Sequence, residues 1–170
     1  MRFVQGFTAP FYSIVSPLSK SQAKSHVEHR LNSSAQPPAL SMPTIEISWG
    51  ELIDKITILE IKEQRLTAPA AVANVRKELM ALSRAVGELK SAPGALGALK
   101  QELKSINSAL WDIENRTRAK EAAKTFDQEF IELTRSVYLN NDKRARIKRQ
   151  INELLNSGLV EEKQYTPYAT

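Results

Sequence analysis

Along most of the chain after residue 45, apolar residues recur at steps of three and four, the spacing of one face of an α-helix. Val72, Val75, Leu79, Leu82, Val86 and Leu89 form one such seam; Leu96, Leu99, Leu103, Ile106, Leu110 and Ile113 form a second. Between them, Ser91-Ala92-Pro93-Gly94 has the composition of a turn. Folding the chain back there sets Leu89 against Leu96, Val86 against Leu99 and Leu82 against Leu103. The same fold sets Leu79 against Ile106, Val75 against Leu110 and Val72 against Ile113. Two mirrored seams predict an antiparallel coiled-coil hairpin.

Ahead of the seams, Ser48-Trp49-Gly50-Glu51 has the form of a capping box, with Ile47 and Leu52 placed as its hydrophobic staple. This predicts a helix over 48–66. Thr67-Ala68-Pro69 supplies a stop followed by a proline suited to a first helical turn, so the next helices cover 69–90 and 95–123. After Ile113 the seam lapses. Thr125-Phe126-Asp127-Gln128 resembles a second capping box and predicts a break or kink near Lys124, although no Pro or Gly enforces it and one continuous helix stays open. The fourth helix, 126–157, carries Phe126, Phe130, Leu133, Val137, Ile147, Ile151, Leu154 and Leu155. Gly158 with Leu159 reads as its Schellman-type stop. The fold class is therefore all-α: a helical bundle over 45–160, built on the antiparallel coiled-coil hairpin, with an irregular tail at 161–170.

Residues 1–44 lack periodicity and are rich in Ser, Pro and Ala, which predicts a disordered leader. Met42 stands directly before the periodic part, so a mis-assigned upstream start is an equal reading. An organellar targeting segment would also suit this acid-poor stretch. The leader holds four Lys/Arg against Glu28 alone, whereas residues 45–170 hold twenty against eighteen Asp/Glu. The body is thus close to neutral, which weakens the case for a nucleic-acid binder.

Cysteine is absent and both histidines, His26 and His29, lie in the leader. Thiolate chemistry, Cys-based metal sites and His-based triads are excluded from the body, and nothing points to a cofactor or a metal. No apolar run approaches the ~18–20 residues that span a bilayer. A cytoplasmic location is expected.

Charge placed on the helical wheels supplies the candidate chemistry. With Leu52 at zero, Trp49, Ile53, Ile56 and Leu59 cover an arc from about −20° to about 100°, and Glu60 and Glu63 fall within it. On the fourth helix, five of the seven residues Lys143–Arg149 are basic. With Leu133 at zero, Arg144 lies near about 20° and Lys148 near about 60°, on the apolar arc, flanked by Asn140 and Asn141. Lys143, Arg146 and Arg149 point elsewhere, as solvent cover. On the third helix, Asn107, Trp111, Glu114 and Arg118 form a polar stripe beside the seam. Glu60, Glu63, Glu114, Arg118, Asn140, Asn141, Arg144 and Lys148 are therefore the candidates for an internal polar network, either structural or ligand-binding.

SWGELIDKITILEIK at 48–62, LWDIENR and NNDKRARIKRQIN within 110–152, and EEKQY at 161–165 resemble a bacterial domain-of-unknown-function family of short all-helical proteins. The resemblance covers roughly 42–168 and implies a start near Met42 but no established activity. It also suggests, as an alternative, an accessory role in surface-glycan synthesis. ELIDKITILEIKEQR has a faint likeness to the first helix of small chorismate mutases but lacks their arginine. Glu60/Glu63 and Glu129/Glu132 have the Glu-x-x-Glu spacing of helical pyrophosphohydrolases but lie far apart. The leading expectation is a non-enzymatic interaction or scaffold protein, self-associating or bound to a protein partner. A binder or enzyme for a small anionic metabolite at Arg118/Arg144/Lys148 is the alternative, and nucleic-acid binding the weakest.

Overall fold

The computed structural model describes residues 44–87, 89 and 93–166; the expected leader up to residue 43 and the end of the expected tail lie outside them. Four helices follow one another: α1 (Trp49–Arg65), α2 (Pro69–Val86), α3 (Ala95–Ala122) and α4 (Gln128–Leu154). There is no strand among the described residues. None of these helices is long and apolar enough to cross a membrane.

α1 is the central helix. Ser48 starts it, its side chain accepting a hydrogen bond from the Glu51 amide. Leu52, Ile53, Ile56, Ile58, Leu59 and Ile61 are all buried, and they run round the helix rather than along one stripe. Such a helix must be covered on most of its sides, and α2, α3 and α4 all pack on it, leaving Lys55 exposed. A core of Ile53, Leu96, Leu103, Ile147 and Ile151 joins α1, α3 and α4.

This arrangement corrects the expected hairpin. No Cα of α2 comes within 8 Å of one of α3 or α4, whereas α1 approaches all three other helices that closely. Val75 is buried, yet the six layers do not form along α2 and α3. Val86, Leu89 and Leu99 pack at the edge of the core. The heptad spacing showed that each helix has an apolar face but not which partner covers it, and α1, apolar around most of its circumference, competes for both seams.

The hairpin that does form is α3–α4. Lys120 pairs with Asp127 and Glu129, and Arg116 with Glu129 at 2.6 Å, holding the two helices antiparallel across a short turn. The break near Lys124 is therefore a full reversal. Lys124 takes φ 53°, with Thr125 N donating to Lys120 O and Lys124 N to Glu121 O. These two bonds make a Schellman cap with lysine where glycine is usual. Asp127, not Thr125, caps α4, accepting from Phe130 N at 3.0 Å. Phe126 thus precedes the helix and is 55% exposed. α4 ends in the same motif, with Asn156 at φ 48° rather than Gly158. Ser157 N donates to Asn152 O and Asn156 N to Glu153 O.

Gly50 sets how closely α1 approaches α4. A Cβ there would lie 2.5 Å from the Lys148 carbonyl oxygen and 2.9 Å from Asn152 Oδ1. Gly50→Ala should destabilise the protein by about 1–3 kcal/mol, as forced overpacking does, measured by chemical denaturation. Lys124→Gly should stabilise it by about 0.5–1 kcal/mol, because the left-handed conformation costs a side-chain-bearing residue more than glycine.

Candidate functional site

A stripe of small and polar residues, Gly50, Asp54 and Thr57, runs along α1 at spacings of four and three, where it is buried against α3 and α4. Asp54 is 2% exposed. Its carboxylate accepts from Arg144 Nε at 2.8 Å and from Arg144 Nη2 in a two-pronged pair. Asn107 of α3 donates through Nδ2 to Asp54 Oδ1 and to Thr57 Oγ1, both at 2.9 Å. Thr57 in turn donates its hydroxyl to the Asp54 carbonyl at 2.8 Å. Three helices thus meet on one carboxylate, and no buried side-chain polar atom among the described residues lacks a partner.

One turn along α4, Lys148 is 5% exposed and is held by Glu51 and Glu161. One further turn on, Asn152 Oδ1 accepts from Gly50 N at 2.6 Å, and Ser157 Oγ from Trp49 N at 3.3 Å. The amides that open α1 are therefore satisfied by the end of α4. Arg144, Lys148 and Asn152 form one ridge at steps of four, answering Asp54, Glu51 and Gly50.

Burial works against the charge on Arg144, but the hydrogen bonds and field of Asp54 outweigh it and raise its pKa. Lys148 is likewise raised: burial lowers it, while Glu161 and Glu51 more than compensate. Glu161 is lowered, the cost of burial being exceeded by Lys148 and then Lys163. Glu60 is lowered in the same way by Lys100 at 2.7 Å and Lys104 at 2.8 Å.

Of the eight candidates, the structure gathers three here. Arg144 and Lys148 turn inward, and Asn141 joins them by accepting from Arg144 Nη1 at 3.4 Å. Asn140 and Asn141 donate to the carbonyls of Ser136 and Val137 in their own helix. Glu60 belongs to a separate cluster with α3, and Glu63 pairs with Arg76 of α2 at 2.8 Å. Glu114 and Arg118 pair with each other along α3 at 3.3 Å.

Asp54, Glu51, Gly50, Thr57, Asn107 as a core residue, Asn152 and Arg65 were not among the expected residues. Arg65 clamps the end of α1 to α3, donating to Ser108 at 2.6 Å, pairing with Asp112 and lying 5.8 Å from the Trp111 ring centroid. The signal for Asp54 was present: Ile58 near about 240° and Ile61 near about 180° place apolar residues on the presumed polar side of α1.

The arrangement suits holding helices together. No cluster of three or more Asp, Glu or His able to hold a metal ion occurs among the described residues. Residues 43–170 match a family model whose description is "Family of unknown function (DUF6165)". No curated protein and no solved structure matches.

Arg144→Met should cost about 3–5 kcal/mol in a urea melt, since it leaves Asp54 buried and uncompensated. The double variant Asp54→Leu/Arg144→Met should recover most of that loss, as apolar replacement of both partners does. The pH dependence follows from the shifts. Glu60 and Glu161 have lowered pKa values, so their stabilisation is full above the unfolded value, about 4.3, and fades as pH falls through their folded values. Lys148, raised, keeps its contribution up to its unfolded value, about 10.4, and loses it only as pH rises through the higher folded one. Thermal melts should therefore plateau from about pH 5 to about pH 10, and Glu60→Gln should flatten the acid limb.

Proposed function

The chain belongs to this family of unknown function, and we propose that it works as a non-enzymatic interaction protein that associates with a second copy of itself. The observation carrying this reading is the closed fork of Arg144 on Asp54. An inward cation of the basic run fastens α4 to α1. A charge committed in this way cannot also receive a substrate without opening the bundle.

The surface for association is the far end of α3–α4. Arg65, at the last turn of α1, meets α3 at Ser108 and Asp112. From there α3 continues to Ala122, about 15 Å further at ~1.5 Å per residue. That end leaves Phe126 55% and Ile131 42% exposed. Phe126 and Phe130 stand edge to face with centroids 5.2 Å apart. Acidic and basic residues are interspersed around them, which suits a self-complementary two-fold contact. Two such helix pairs would complete a four-helix bundle.

Light scattering should give a dimer mass at tens of micromolar, and Phe126→Glu/Ile131→Glu should return a folded monomer. A strict monomer from the unaltered chain overturns the self-association.

A further inference from the structure

The irregular tail after α4 folds back onto the same helix. Glu161 pairs with Lys148 and, at 3.3 Å, with Lys163; Glu162 pairs with Arg149 at 2.7 Å. Against this strap lies a cavity of about 160 Å³. Arg146, Lys148, Arg149 and Lys163 bring four cations to its wall, and Glu161 brings the one carboxylate. Asn152 also lines it. Since its Oδ1 is committed to the Gly50 amide, the group it can offer the cavity is its Nδ2 donor. Every polar wall group except Glu161 is thus a donor. Arg146 is exposed and has no carboxylate partner among the described residues.

The size is selective. The space holds roughly five waters at ~30 Å³ each and falls well short of the ~300 Å³ at which drug-sized pockets begin. It suits a group the size of phosphate. A phosphate carries about −1.5 to −2 charge at neutral pH with three strong acceptor oxygens, against a single charge on Glu161. Arginine forks match such oxygens well.

We infer that this cavity binds a phosphate dianion, free or as a small phosphomonoester, which takes over Lys148 and Lys163 from the Glu161 carboxylate at its wall. Glu161 acts as a tethered competitor, kept at high local concentration by the tail. The site is separate from the proposed association surface, and neither depends on the other.

The test is a titration of inorganic phosphate into the full chain at constant ionic strength. Binding is followed through the amide NMR shifts of Asn152 and residues 161–163, with sodium chloride as the control and glycerol phosphate as the ester arm. Saturable shifts are expected for phosphate and none for chloride. Removing the competitor with Glu161→Gln should tighten binding by at least about fivefold. Arg146→Met/Arg149→Met, altered only at exposed positions, should weaken it by at least about tenfold, as loss of charge-assisted bonds does. Saturation by glycerol phosphate as well supports an ester ligand, and saturation by phosphate alone supports the free ion. Shifts that never saturate, that chloride reproduces, or that are equally tight in wild type and Glu161→Gln overturn the inference.

Discussion

The structure depends on one buried carboxylate. Asp54 sits in the middle of a helix that is buried over most of its surface, and a charge there must find a cation and further donors or cost several kcal/mol. Arg144 supplies the cation from α4, and Asn107 supplies a donor from α3. The register of α4 on α1 then follows in steps of one turn. Lys148 falls opposite Glu51, and Asn152 falls opposite Gly50. That last contact requires a residue without a side chain, because the Lys148 carbonyl already occupies the place a Cβ would take. Asp54, Glu51 and Gly50 are thus parts of one constraint, the antiparallel docking of α4 on α1.

The same constraint explains why the chain reverses where it does. With α1 enclosed, α3 must return as α4 to bring Arg144 back to Asp54. The reversal at 123–127 is made without glycine or proline: Lys124 takes the left-handed conformation, and Asp127 restarts the helix. Ion pairs between Lys120, Arg116, Asp127 and Glu129 fasten the two sides. They are largely exposed and worth little individually. Phe126 and Ile131 are exposed near this reversal.

Much of this was legible in the sequence, and the failures share a cause. The all-α class followed from the three-four spacing, and Ser48 as the cap of α1 followed from local chemistry alone. Arg144 and Lys148 stood out from Lys143, Arg146 and Arg149 because α4 has a narrow apolar stripe against which an inward charge is visible. α1 has no such stripe. Drawing a single arc through Trp49, Ile53, Ile56 and Leu59 leaves Asp54 outside it, whereas Ile58 and Ile61 widen the buried surface of α1 to take in Asp54 and leave Lys55 exposed. The hairpin between the two seams failed for a related reason. Periodicity identifies a buried face but carries no label for its partner, and the choice between α1 and α3 is made by long-range packing. The use of Lys124 and Asn156 in left-handed caps was likewise invisible, because the expected glycine at 158 stood two residues beyond the real stop.

A buried ion pair at the centre of a small bundle needs a reason, because apolar replacements of equal volume are often no less stable. Here the reason lies in the symmetry of α1. A helix apolar around most of its circumference can be rotated or slid against its neighbours with little change in buried area, so hydrophobic burial alone specifies it poorly. Asp54 breaks that degeneracy. In any other rotation or register the carboxylate is enclosed without the Arg144 fork and the Asn107 amide, and the charge left unmatched penalises the alternative. The polar stripe of α1 therefore contributes specificity where the apolar residues contribute burial. This division of labour accounts for a basic run on α4 whose members point in two directions: the inward residues choose the register, and the outward ones lie at the surface, where Arg149 meets Glu162 of the tail.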